Sequence, residues 1–201
     1  MAHESHLYDV VGHLGDPQHF RLISKSIPEL TLRIPRTVDI PAVMDILMNK
    51  ANSEFDKSIS EATAEELQAI AQRWTTVVDP LTHINFLVWK NEQPLGIAGL
   101  GWIGPVADHD DGSSNPAERA GAAGVILQPF ARGNGYAYEA LRLVFEYGLH
   151  ELGLVEIRVG SHSGNLPMRG LMEKRFGLQP ERKAESSGVD KFGNDLLWVV
   201  K

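Results

Sequence analysis

The chain has 201 residues, 43% hydrophobic and 22% charged, which suits one globular domain with a buried core. Its 19 Lys and Arg against 26 Asp and Glu give a net charge of −7, which opposes nucleic-acid binding and mildly favours a cationic substrate. With no cysteine it has no disulfide framework, thiol nucleophile or thiolate metal site, and a reducing, cytoplasmic compartment is expected.

No apolar run approaches the ~20 residues of a membrane span, and the start, MAHESHLYDVVGHLGD, lacks a basic-then-apolar signal pattern. Residues 1–27 show weak periodicity and hold His3, His6, His13 and His19 at spacings that fit no recognised metal site. They are expected to be an extension, partly ordered at best, ahead of a domain spanning 28–201. Leu30, Leu32 and Ile34 alternate with polar residues, which predicts a strand. Asp39 and Pro41 open a predicted helix with Ile40, Val43, Met44 and Leu47 on one face. Thr63-x-x-Glu66 is a capping box, and Leu67, Ile70, Ala71 and Trp74 stripe the helix behind it.

Ile84–Lys90 and Leu95–Ile103 read as a hairpin around Asn91-Glu92-Gln93-Pro94. Residues 104–120 are a polar loop carrying an acidic run, Asp108, His109, Asp110 and Asp111. A strand over 122–128 enters a glycine loop, and the helix beyond it presents Ala137, Leu141, Val144, Phe145, Leu149 and Leu152 before Gly153 stops it. Val155, Ile157 and Val159 predict a strand, Leu166 to Phe176 a helix, and Leu196 to Val200 a strand paired with one near 178–184. The order is β-α-α-β-β-β-α-β-α-β-β, an α/β (mixed α+β) architecture whose sheet is flanked by helices.

The stretch from Gly124 to Ala137, GVILQPFARGNGYA, carries the chemistry. An apolar strand, a glycine loop and a helix start make an anion site, because first-turn N–H groups lack intrahelical partners and the helix dipole adds partial positive charge. Gly133 and Gly135 let the backbone approach a phosphate, and Arg132 adds a forked cation. A dinucleotide fold wants Gly-x-Gly-x-x-Gly, but Tyr138 stands at the third glycine and only one β-α-β unit is available. A P-loop is excluded because no Gly-Lys-Ser/Thr occurs.

Arg132-x-x-Gly135-x-Ala137 after its strand resembles the acyl-CoA motif of the GNAT superfamily, the GCN5-related N-acetyltransferases. The flavour is closest to the branch that acetylates ribosomal-protein N-termini and small amines. The resemblance runs from about Leu30 to Val200. It implies a twisted, mostly antiparallel sheet and acetyl-CoA as donor, with no metal. It also implies a small-molecule or peptide amine as acceptor, with neither nucleic acid nor membrane as partner, in a monomer or homodimer. Non-catalytic CoA binding and a Rossmann-type nucleotide domain are the alternatives.

The expected cofactor residues are Ile126, Leu127, Arg132, Gly133, Asn134, Gly135, Tyr136, Ala137 and Asn165, the last contacting pantetheine in the family or simply capping its helix. An oxyanion would meet a backbone N–H near Leu127. The family's frequent tyrosine, seven residues past this asparagine, is Met172 here, and its branch's serine is Met168. No proton donor carries over. His162, just beyond strand 155–161, and Glu118, just before strand 122–128, are the candidate catalytic residues, and the acidic run is a candidate attractor for a cationic amine.

Overall fold

The computed structural model describes residues 6–106, 118–182 and 188–201. Its single sheet has eight strands in chain order: β1 Tyr8–Val11, β2 Arg21–Ser24, β3 Leu30–Arg33, β4 Ile84–Lys90, β5 Gln93–Pro105, β6 Arg119–Leu127, β7 Glu156–Ser161 and β8 Leu196–Val200. Every neighbouring pair is antiparallel except β6 and β7. A Rossmann-type domain requires a parallel sheet, so that alternative falls.

The segment expected as an N-terminal extension instead supplies β1 and β2 to the sheet. Tyr8, Phe20 and Leu22 are buried in the main core. Each strand is four residues long, too short to show a period in the sequence, and tertiary burial fixes them.

Two apolar clusters hold the faces. On one face lies α5 (Tyr136–Glu146), which continues in wider, π-type turns through Tyr147–Glu151 and ends at Gly153, at φ +65°. Its Ala140, Leu141, Val144 and Phe145 pack on Leu100, Ile157 and Val159. Glu139, also buried, accepts from Ser24, Ser26 and Arg142, tying α5 to β2. Burial pushes its carboxyl up; the Arg142 and serine bonds outweigh that and hold it below the usual range.

On the other face, α1 (Ile40–Met48) and α4 (Ala64–Arg73) bury Val43, Ile46, Leu47, Leu67 and Ala71 against Leu87 and Ile97. The Thr63/Glu66 capping box forms as read, with bonds of 3.2 and 2.8 Å. Between these helices stand two single turns that carry no periodic signal, α2 (Lys50–Ser53) and α3 (Lys57–Ser60), capped by Asn49 and Asp56. The β4–β5 hairpin turns on Asn91 and Glu92, at φ 47° and 61°, the left-handed pair that a two-residue turn demands. The last helix, α6 (Leu166–Arg169), runs on in wider turns to Arg175, ahead of Gly177 at φ +71°. Of the strand expected near 178–184, the described residues 178–182 form one bridge, Arg182 to Leu197; residues 183–184 lie outside the described residues. Among the described residues no helix is long and apolar enough to cross a membrane.

Candidate active site

Parallel pairing of β6 with β7 covers only Ala120–Glu156, Gly121–Ile157 and Ala122–Arg158. Beyond that point β6 runs five more residues and β7 three more without a shared rung, so a wedge opens between them. The Gln128 N–H bonds Leu95 O on β5. By strand alternation, Val125 and Leu127 therefore turn their N–H groups toward the wedge. Ile126, one residue between, faces β5 through its pairing with Ile97. The helical face opposite is filled by the α5 core, which leaves the wedge approachable from the α1 side.

Past Leu127 the chain turns through Pro129–Ala131 into the glycine loop. Gly133 and Gly135 sit at φ +79° and +80°, and a Cβ at either would meet nothing within 4 Å. Their absence of side chains therefore serves backbone conformation and leaves open space above the loop. Asn134 folds its amide back onto Ala131 O and Arg132 O, which fixes the loop from within. The first helical bond of α5 is Glu139 N–H to Gly135 O, so the N–H groups of Tyr136, Ala137 and Tyr138 head the helix ahead of any intrahelical partner. This arrangement has the geometry of an anion cradle at the mouth of the wedge.

Arg132 is not aimed into that cradle. Its Nε donates to Leu127 O at 3.0 Å, and its Nη2 donates to Ala51 O at 2.8 Å and Asn52 Oδ1 at 2.6 Å. The cation brought to the first turn of α5 is instead Lys90, whose Nζ donates to the Tyr136 hydroxyl at 2.9 Å and lies 5.0 Å from its ring centroid. That hydrogen bond to Tyr136 raises the ammonium pKa. Tyr138 packs on Phe176, 4.7 Å between centroids, under the Arg175 guanidinium.

Asn165 caps α6, accepting from Met168 N–H at 3.2 Å. Met172 is fully buried, a core side chain with no path to a leaving group.

His162 and Glu118 separate. Counting on from Ala122–Arg158, His162 is level with Ile126 across the wedge. Glu118 begins the opposite end of β6, nine residues or about 30 Å of strand from Leu127. A carboxylate there lies at the paired end of β6, away from the cradle's end of the wedge. The His162 ring stacks on Phe55, with centroids 5.8 Å apart and planes 13° off parallel. Its Nδ1 accepts the Gly164 N–H at 3.0 Å, so the neutral ring carries its proton on Nε2. In that tautomer Nδ1 is taken and Nε2 is a donor, so service as the expected base requires the Gly164 bond to break. Next to it, Ser163 donates its N–H and hydroxyl to Asp195 at 2.6 and 2.7 Å. Burial pushes the Asp195 carboxyl up, and the Ser163 bonds pull it below the usual range.

No motif in the sequence marks Asn49, Asn52, Phe55 or Gln128. Gln128 Oε1 accepts from Asn49 Nδ2 at 2.9 Å and Asn52 Nδ2 at 3.2 Å, so the turns after α1 are fastened to the glycine loop. Only the capping character of Asn49 hinted at structure there. The acidic run Asp108, Asp110 and Asp111, with His109, lies outside the described residues. Among the described residues no group of three or more His, Asp or Glu is placed to hold a metal ion.

The antiparallel sheet with one parallel wedge, the cradle at its mouth and α5 behind define an acyl-CoA-binding fold. The acetyltransferase (GNAT) domain model matches residues 29–176, and the chain belongs to that family. It is thus an N-acetyltransferase with acetyl-CoA as co-substrate. No curated protein sequence matches it.

Solved structures share the fold at low identity. The ribosomal-protein alpha-N-acetyltransferase RimL, in complex with coenzyme A, is 14% identical with a TM-score of 0.66, over 86% of this chain and 93% of its own. Spermidine N-acetyltransferase from Vibrio cholerae, with CoA and spermine, is 18% identical with a TM-score of 0.66, over 86% and 95%. A GNAT acetyltransferase from Bacillus anthracis is 18% identical with a TM-score of 0.61, over 86% and 94%.

Proposed function

We propose that this enzyme transfers the acetyl group to a primary amine by direct attack, with both substrates held at once. The observation that carries the reading is the open first turn of α5 at the mouth of the β6–β7 wedge. The pyrophosphate of acetyl-CoA takes the N–H groups of the 133–137 stretch, where Gly133 and Gly135 leave room. Pantetheine runs between β6 and β7 past Ile126 and Leu127 toward Asn165. The thioester oxygen meets the N–H of Val125 or Leu127, which stabilises the oxyanion as the amine nitrogen adds to the carbonyl carbon.

The tetrahedral species then loses the thiolate, the C–S bond breaking as the amide is left. The ammonium proton leaves through water before or during attack. A free thiol has a pKa of about 8.5, so water suffices to reprotonate the leaving group. Holding the two reactants together supplies much of the acceleration. The acceptor enters from the α1 side, past Phe55 and His162. A peptide N-terminus and a small amine both remain acceptor classes; the structural relatives named for a ribosomal protein and for spermidine illustrate the two.

The test is Gly135→Asp. It places a Cβ and a negative charge in the cradle at a left-handed backbone position. CoA affinity by calorimetry is expected to fall at least roughly tenfold, about 1.4 kcal/mol. An unchanged affinity in a folded variant sinks the cradle. Turnover with an amine panel is followed by thiol release, which is clean because the chain has no cysteine of its own.

A further inference from the structure

The Arg132 side chain stands at the start of the acyl-CoA motif, yet its three hydrogen bonds go to Leu127, Ala51 and Asn52. Asn52 is held at both ends of its amide. Its Oδ1 takes Arg132, and its Nδ2 donates to Ile46 O at 2.9 Å and to Gln128 Oε1 at 3.2 Å. α2 is therefore clamped between the end of α1 and the glycine loop. Three residues further on, Phe55 lies on His162 at the far side of the wedge, and its ring edge comes 3.2 Å from where a Cβ on Gly164 would stand. Lys57 N–H then bonds Phe192 O at 3.3 Å, and the Lys57 stem lies along Gly193. Residues 49–57 thus run as a strap from the donor loop on β6 to the loop after β7 and the residues before β8.

We propose that Arg132 and Asn52 are positioning residues that couple the acetyl-CoA loop to the acceptor side of the wedge through this strap. The inference rests on the reading of the 133–137 cradle as the CoA site. A guanidinium fork that satisfies two backbone carbonyls and one amide oxygen fixes direction as well as distance. A ligand that orders the glycine loop orders Leu127 O and Arg132 with it. Arg132 then holds Ala51 and Asn52, and Phe55 follows. Ordering by the donor reduces what the acceptor must order when it binds, which gives positive coupling without any contact between the two. The coupling is reciprocal, so an acceptor seated against Phe55 tightens CoA equally. Phosphate affinity is left to the backbone N–H groups of the loop and first turn.

Hydrogen exchange of the intact protein tests this with CoA alone as probe, so no acceptor need be known. In the wild type, CoA is expected to slow exchange both in the 132–138 segment and in the strap and His162–Asn165. In Asn52→Ala, CoA should still protect 132–138, while its protection of residues 53–57 and 162–165 falls by about tenfold, the scale of losing a charge-assisted bond. Arg132→Lys keeps the charge but not the fork. It should behave like Asn52→Ala and keep its CoA affinity within about twofold, under half a tenfold step.

If Arg132→Lys retains protection of the strap, or if Arg132→Ala loses CoA affinity tenfold while Asn52→Ala keeps the strap protected, Arg132 is a phosphate ligand and the coupling is overturned. If CoA protects neither segment in the wild type, the cradle reading itself fails. Asn52→Asp supplies a folded check. It keeps an oxygen for Arg132 but gives up both Nδ2 bonds, so it is expected to restore part of the strap protection that Asn52→Ala loses; restoring none of it overturns the role of the Arg132 bond.

Discussion

β5 and β6 share nine paired positions, whereas β6 and β7, next door and parallel, share three. The first pair belongs to a meander from β1 to β6 in which every strand is paired along most of its length and both faces are covered, by α5 and by α1 with α4. The second is left open for five residues of β6, and its backbone N–H groups there are available to a ligand. The difference teaches that stability and chemistry are placed in different ladders. A strand edge inside a sheet is costly to leave unpaired. It is tolerated here because the antiparallel half fixes β6 from one side, while Arg132 takes the Leu127 carbonyl on the other.

The largest expected effect comes from striking the paired half. Phe86 is fully buried on β4 and meets Tyr147 edge-on, with centroids 6.3 Å apart, and Phe20 at 6.2 Å. Phe86→Ala removes a ring from a core that cannot collapse around its two aromatic neighbours, at an expected loss of about 3–5 kcal/mol in denaturant unfolding. CoA affinity of the folded fraction should stay within error. If affinity falls in step with stability, the two halves are one cooperative unit and the contrast drawn between them is broken.

A smaller effect sharpens the same contrast. Asp39 opens α1 and accepts both Arg33 guanidinium nitrogens, at 2.6 and 2.9 Å, and the Arg36 N–H at 2.8 Å. Burial pushes its carboxyl up, but the Arg33 and Arg36 bonds prevail and lower it from 3.8 to about 2. A carboxyl with a lowered folded pKa stabilises at pH above its unfolded value and loses that contribution as pH falls from about 4 through about 2. Asp39→Asn should therefore cost about 2 kcal/mol at neutral pH and almost nothing near pH 2, with the wedge untouched. A variant whose deficit is the same at both pH values argues that packing, and not the ion pair, is what Asp39 supplies.

How much of this was legible follows from which signals are local. The Thr63/Glu66 box, the Asn165 cap and the run from β6 through the glycine loop into α5 all depend on neighbours within four residues, and all are where the sequence puts them; the β4–β5 turn is tighter than read, with Gln93 and Pro94 already in β5. β1 and β2 were missed because four-residue strands earn their place by burying Tyr8 and Leu22 against distant strands. The hydrogen-bond partners of Arg132 outside its loop are invisible to a motif that names only the loop. Those partners, Ala51 and Asn52, are some eighty residues away and in an aperiodic segment. Glu118 looked close to the thioester in sequence, and only the three-rung register shows that it begins the paired end of β6 rather than the open one.

The smallest expected effect is at His162, and it decides whether the wedge borrows a base from its rim. A catalytic base must have an acceptor lone pair within reach of the amine. The Nδ1 of His162 is occupied by the Gly164 N–H, and Nε2 carries the proton of the neutral ring. His162→Asn preserves the local bond, since an asparagine oxygen takes the N–H two residues on as readily. It removes Nε2 and the flat partner of Phe55. On this geometry kcat should change by no more than about threefold, under 0.7 kcal/mol, and the acidic limb of the pH–rate profile should stay where it is. The effect should fall instead on the KM of the amine, because the Phe55 stack is lost. A fall in kcat of about a hundredfold, with the acidic limb gone, would make His162 the base after all. The ring would then have to turn away from Gly164 during turnover, and the rim of the wedge would be part of the chemistry rather than its frame.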